Sequence, residues 1–257
     1  MTDVSTMADP IRTTTSAPVT SRAAGRSWWL AIGAVFAVLV LGLGAFSLAS
    51  WLALRTETQH QTYDHAITRL VIDGGTGDLT FSRGESSSVV VDRRLTWSFW
   101  KPEITETWEG ETLRVTTRCP PINAGPNCSV DYVIALPDGV DVEAYTGTGD
   151  VSVSDLRGDV RVTTGTGDIT AAGLTSTDVD VQSGTGDVTL RFGNAPRTVQ
   201  ADTGTGNVRI TVPPGDLYQV NGDSGTGDLR VRLVHDPSAS RQITVHTGTG
   251  DIDVSYS

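Results

Sequence analysis

The sequence predicts an all-β fold: a parallel β-solenoid, or β-helix-like stack, of two-strand rungs, with an antiparallel hairpin insertion and one transmembrane helix ahead of it. Three observations carry this. A tetrapeptide, Gly-Thr-Gly-Asp, begins at Gly75, Gly147, Gly165, Gly184, Gly204, Gly225 and Gly248, the fifth copy ending in Asn207 in place of Asp. After a first step of 72 residues the copies follow at steps of 18, 19, 20, 21 and 23. A motif recurring about every 20 residues marks a solenoid in which each repeat is one rung. Finally, the stretch from Trp28 to Leu54 carries no charge.

Taken in order, residues 1–26 are rich in Ser, Thr, Ala and Pro without apolar periodicity, which predicts a disordered tail. Residues 27–54 are predicted to be a transmembrane helix acting as a signal anchor. The uncharged run would extend roughly 40 Å as a helix, enough for a hydrocarbon core of about 30 Å. Trp28, Trp29 and Trp51 sit near its ends, where aromatic belts form. Arg12, Arg22 and Arg26 precede the run and Arg55 and Arg69 follow it. That bias favours a single-pass protein of the cell membrane, N-terminus cytoplasmic and C-terminal domain extracytoplasmic. The rival is a cleaved signal peptide with Ser47-Leu48-Ala49 as a small-x-small site; the run exceeds the roughly 7–15 apolar residues usual there. Residues 55–66 read as a juxtamembrane linker and 67–257 as the solenoid.

The flanks of the tetrapeptide define the rung. Counting from its first Gly, positions +4 and +6 are apolar in every copy, from Leu79/Phe81 to Ile252/Val254. Positions −5 and −3 are apolar almost throughout, for example Val160/Val162 and Val179/Val181, with Gly222 as the gap. The residues between them are mostly polar, which gives a period of two on either side of a Gly-rich corner. That pattern specifies two half-buried strands per rung. Two Gly in four residues allow positive φ at the corner. Stacking at about 4.8 Å per rung would line up every Thr and Asp of the motif along one edge.

From about 82 to 140 the repeat lapses. Strand-like runs (Ser88–Val91, Leu95–Trp100, Ile104–Trp108, Leu113–Thr117, Tyr132–Leu136) are broken by Lys101-Pro102 and Glu109-Gly110, which predicts antiparallel hairpins inserted in, or capping, the first end. Trp97, Trp100 and Trp108 fall here; capping the core is favoured over a sugar-stacking platform. Cys119 and Cys128 bracket a Pro-, Gly- and Asn-rich loop without other ligand types. In an exported domain such a pair reads as a disulfide.

The segment Val133–Val142, running into Tyr145-Thr-Gly-Thr-Gly-Asp-Val-Ser-Val153, resembles the opening of the bacterial putative-adhesin domain family DUF4097. The resemblance extends through the Gly-Thr-Gly-Asp copies, from about Ile67 to Ser257. It implies an exported or membrane-tethered β-solenoid; some relatives belong to envelope-stress systems. It carries no catalytic residues over to this chain.

The motif acids Asp78, Asp150, Asp168, Asp187, Asp228 and Asp251 would form a stack of like charges. Two arrangements relieve the repulsion: calcium bridging neighbouring carboxylates, or each Asp accepting backbone N–H groups of its own turn. The turn role is favoured, because calcium-binding β-rolls repeat every nine residues or so with more Asp per turn. No cofactor is expected, with calcium the one candidate. The net charge is −11 with a single Lys, Lys101, which excludes nucleic acid as a partner class. The four His (His60, His65, His235, His246) are scattered, and no Gly-x-Ser-x-Gly, His-Glu-x-x-His or phosphate loop occurs. A non-enzymatic protein is therefore expected, a carbohydrate-active enzyme being the distant third reading.

Position +5 carries Thr80, Ser152, Thr170 and Thr189, then Arg209, Arg230 and Asp253, a flat polar strip suited to a cell-surface glycan or envelope protein. The terminal rung Ile243–Tyr256 has no evident cap, which predicts self-association or a partner there. The expected function is a membrane-anchored, envelope-exposed binding, adhesin-like or scaffolding module. The runner-up is an accessory component of an envelope-stress or regulatory system acting through a membrane partner.

Overall fold

The computed structural model describes residues 32–44, 47, 54–119 and 127–257. The chain divides into two units, Met1–Leu48 and Ala49–Ser257. In the first, residues 32–44 form an exposed helix, α1. Most of the rest of the predicted span 27–54, and all of the tail 1–26, lies outside the described residues. Among the described residues no helix is long and apolar enough to cross a membrane.

The second unit is the predicted solenoid. Seven two-strand rungs turn at the seven tetrapeptides: β2 (Arg69–Thr76) with β3 (Leu79–Arg83), β8 (Asp141–Thr148) with β9 (Val151–Ser154), β10 (Val160–Thr166) with β11 (Ile169–Leu174), β12 (Asp178–Thr185) with β13 (Val188–Phe192), β14 (Thr198–Thr205) with β15 (Val208–Val212), β16 (Tyr218–Thr226) with β17 (Leu229–Arg232), and β18 (Arg241–Thr249) with β19 (Ile252–Tyr256). Equivalent positions pair in parallel, so Val160 lies between Val142 and Val179. The alternating apolar positions face inward and form one core, with Ile72, Val162, Leu190, Ile210 and Val254 fully buried. Burying each such side chain stabilises by about 1.5–3 kcal/mol, and no single rung could bury its apolar face alone.

The insertion is antiparallel as expected, but it also supplies a rung. It comprises β4 (Val89–Trp97), β5 (Glu103–Glu109), β6 (Thr112–Arg118) and β7 (Cys128–Leu136). The strands β6 and β7 pair in parallel with β2 and β3 and so stack outside them. Cys119 and Cys128, joined by a disulfide, bracket the connection between these two strands. Two of the expected runs merge into the single strand β4, antiparallel to β7. The expected linker 55–66 is corrected as well: it opens with β1 (Arg55–Tyr63), antiparallel to β4. Nothing apolar alternates in β1, because it is a sheet edge held by backbone pairing.

Among the described residues the strands form two sheets, ordered β1-β4-β7-β3-β9-β11-β13-β15-β19-β17 and β16-β18-β14-β12-β10-β8-β2-β6-β5. The stack therefore departs from chain order at the far end. The final rung slots between its two predecessors: Ile243 pairs with Val199 on one side and Val220 on the other. The expectation that Ile243–Tyr256 forms an uncovered edge is thus corrected. That rung has a full complement of inward apolar residues, Ile243, Val245, Ile252 and Val254, all buried. The rung at the end has Gly222 instead, and a Cβ there would lie 2.8 Å from Leu229 Cδ1. Leu229 thus leans toward the gap, yet stays 43% exposed because no rung covers it. The segment Val234–Asp236 covers part of this end: the N–H of Tyr218 donates to Val234 O, and that of Val220 to His235 Nδ1 at 3.1 Å.

Candidate functional site

The turn edge is where the repeated chemistry gathers. Its corners depend on the second Gly of each tetrapeptide. Gly186 and Gly206 have φ of 151° and 150°. A Cβ on either would lie 2.0 Å from the carbonyl oxygen of the corresponding Gly one rung below. No side chain fits there, so the rungs close to backbone contact at this edge.

Each motif acid then bonds between rungs. The backbone N–H of Asp150 donates to Asp78 Oδ1, that of Asp168 to Asp150 Oδ1 and that of Asp187 to Asp168 Oδ1, at 2.8–2.9 Å. The row continues from Asn207 N–H to Asp187 Oδ1 at 2.7 Å, Asp251 N–H to Asn207 Oδ1 at 2.9 Å, and Asp228 N–H to Asp251 Oδ1 at 2.9 Å. Asp131 of β7 starts it by accepting from the N–H of Asp78 at 3.2 Å. The capping role expected within one turn is exercised on the next rung instead. Asn207 Nδ2 also donates to Asp187 Oδ1 at 3.2 Å, relieving one like-charge contact in the row. As for the candidate calcium edge, each of these Asp residues except Asp228 spends its Oδ1 on an N–H. Among the described residues no group of three or more His, Cys, Asp or Glu is arranged to hold a metal ion.

Two further rows escaped the sequence reading. The residue before each tetrapeptide is Ser or Thr in every copy but the first, where it is Gly74. These hydroxyls point inward: Thr164 donates to Gly149 O, Ser183 to Gly167 O, Thr203 to Gly186 O, Thr247 to Gly206 O and Ser224 to Gly250 O, at 2.9–3.2 Å. The recurrence was there to be read. At the opposite corner the Asp159 N–H donates to Asp141 Oδ1 at 2.9 Å and the Asp178 N–H to Asp159 Oδ1 at 3.3 Å, a second, shorter row.

The outward faces differ. On one sheet Thr80, Ser152, Thr170, Thr189, Arg209, Asp253 and Arg230 stand in direct register, one rung apart. On the other, a shallow groove of about 360 Å³ is lined by Arg69, Glu143, Asp159, Arg161, Asp178 and Asp180 among others. Two of its acids pair with arginines, Arg161 lying 3.2 Å from Asp180 and Arg197 2.6 Å from Asp178. The hydrogen bond from Arg197 holds the Asp178 carboxyl below the usual carboxylate range.

The first end of the core is polar. Arg93 and Glu106 form a 2.8 Å ion pair there, with Arg93 buried. Burial, then Glu106, pushes the Tyr63 hydroxyl well above its ordinary range. Tyr132 is raised too, chiefly by burial, against the opposing hydrogen bond with Thr117. The three Trp expected here do not share one platform. Trp97 is buried, Trp108 packs edge-on against Tyr63 at 5.8 Å, and Trp100 is exposed at the other end of β5.

The family model described as Toastrack DUF4097 matches residues 138–255, which bears out the resemblance over the rungs from β8 to β19. No curated protein matches the chain. A crystal structure described as a putative cell adhesion protein from Clostridium sporogenes ATCC 15579 aligns with a TM-score of 0.53 at 17% identity, over 79% of this chain and 100% of that one. That likeness is one of fold. A putative adhesin from Bacteroides fragilis NCTC 9343 aligns with a TM-score of 0.45 at 14% identity, over 78% of this chain and 97% of that one.

Proposed function

We propose that this chain, matched over 138–255 by the Toastrack DUF4097 family model, is a non-enzymatic surface module held at the cell membrane by its apolar segment 27–54. In this reading its N-terminus is cytoplasmic and its solenoid extracytoplasmic, where it works as an adhesin-like or scaffolding binder. The observation that carries the reading is the outward row Thr80, Ser152, Thr170, Thr189, Arg209 and Asp253. Hydroxyls repeated about every 4.8 Å along a flat sheet suit an extended polymer such as an envelope glycan better than a compact molecule. The acids recur at equivalent places in successive rungs, which suits a structural repeat rather than one catalytic pair. The adhesion wording attached to the Clostridium structure points the same way.

The test is co-sedimentation of the full chain, in lipid nanodiscs, with isolated cell envelopes, in calcium and in chelator. Binding that Thr170→Lys and Thr189→Lys abolish supports the reading; calcium-dependent binding would recruit the Asp edge to it. Absence of binding in both conditions rejects it in favour of the second reading, an accessory component of an envelope-stress or regulatory system. One observation favours that alternative: β1 begins at Arg55, the residue that follows the uncharged run in the sequence. Replacing segment 27–54 with an unrelated anchor spares surface binding but abolishes action through a membrane partner.

A further inference from the structure

We infer that the loop between β4 and β5, residues 98–102, is a foot that seats Phe99 and Trp100 in the headgroup layer of a lipid bilayer. The inference rests on the membrane-anchored reading of segment 27–54. It follows from chain connectivity within the solenoid unit. Leu54 ends the uncharged run, Arg55 opens β1, and Arg55 pairs with Trp97, the last residue of β4. Antiparallel partners lie about 5 Å apart between Cα atoms, and three residues extend at most about 11 Å. Trp100 is therefore within about 20 Å of Leu54, where the apolar run ends, whatever the tilt of the solenoid.

The side chains at that place are those an interface selects. Phe99 is 43% and Trp100 56% exposed, adjacent large aromatics on a unit whose other described Trp and Phe side chains are more buried. Exposed apolar neighbours mark a contact surface, and Trp prefers the boundary between hydrocarbon and water. The loop is held in place: Lys101 Nζ lies 2.8 Å from both carboxylate oxygens of Glu57 and 5.5 Å from the centre of the Trp97 ring. The Ser98 N–H also donates to Asn127 O at 3.1 Å. Arg55 and Arg118 are exposed at the same end of the strands, Arg118 opposite Glu103. They place cations beside the aromatic pair on a chain of net charge −11, where lipid phosphates would meet them.

The experiment labels the full-length chain with 5-fluorotryptophan and reconstitutes it in phospholipid nanodiscs with and without a gadolinium-chelating headgroup lipid. Fluorine resonances are assigned by replacing one Trp at a time with Phe. Gadolinium is expected to erase the Trp100 resonance along with that of Trp51, which reports on the anchor itself. If Trp51 is lost while Trp100 keeps its linewidth, the foot is overturned and the anchor stands. If Trp51 is also unaffected, the anchored reading fails and the foot with it.

Discussion

The side-chain oxygen of Asn207 accepts the backbone N–H of Asp251 at 2.9 Å, although 44 residues separate the two. The bond locks the last repeat onto the fifth, and Asp251 in turn accepts the N–H of Asp228 at 2.9 Å. Only Asp228 has no rung above it, its carboxylate turning to Arg230 instead. Asp168→Ala and Asn207→Ala are each expected to lower stability by about 1 kcal/mol, the net worth of one such hydrogen bond, whereas Asp228→Ala changes it little. Urea titrations followed by tryptophan fluorescence compare the three; equal losses would contradict the row.

The corner glycines should divide by position. Gly206→Ala puts a Cβ 2.0 Å from Gly186 O at a φ of 150°. A loss of about 3 kcal/mol or more, or failure to fold, is expected. Gly222→Ala crowds only the far end of Leu229, which is free to swing outward from the last rung, and meets Val245 Cγ1 at an ordinary 3.4 Å, so a change within about 1 kcal/mol is expected. The same thermal or urea melts check both.

Tyr218 makes a pH prediction. Burial pushes its hydroxyl up to about 12, and its oxygen has no hydrogen-bond partner among the described residues. The folded state thus disfavours the phenolate. Its share of stability is complete below the unfolded value of about 10 and is lost as pH rises toward the folded one. Tyr218→Phe should be nearly neutral at pH 7 and should flatten the alkaline limb by about 2 kcal/mol between pH 10 and 12. Tyr63 and Tyr132, also raised by burial, keep the remaining slope. Urea midpoints measured across that range test the sign.

The disulfide Cys119–Cys128 spans nine positions at the first end, between β6 and β7. Replacing both Cys by Ser is expected to cost about 2–3 kcal/mol, as for other short closed loops. Denaturant unfolding of wild type with and without reductant, beside the double variant, measures it. Reductant should not affect the variant.

Much of the molecule was legible beforehand because the solenoid's local rules are periodic. The alternation around each tetrapeptide named both strands of the seven rungs that carry it and most of their inward residues, but not the rung of β6 and β7. The inner hydroxyls Thr164, Ser183, Thr203 and Thr247 carried a periodic signal too, one residue before each motif. Other features had none. Asp131 joins the acid row from a strand without the tetrapeptide. The edge strand β1 is polar, and its place in the sheet is fixed by backbone pairing with β4 that leaves no apolar alternation to read. The meeting of Arg55 with Trp97 is a matter of antiparallel register between distant segments.

By itself the sequence determined the rung, its corner and its core, since these depend on alternation and on Gly at positive φ within about twenty residues. Stacking order was decided only by the tertiary structure. Parallel rungs with the same inward and outward pattern can pair with one another in any order, so local sequence leaves that order degenerate. The difference lies in side-chain volume at the ends. The rung holding Gly222 fills its core least, and it takes the terminal place, while the fully apolar rung from Ile243 to Val254 is drawn inside, where both of its faces are buried.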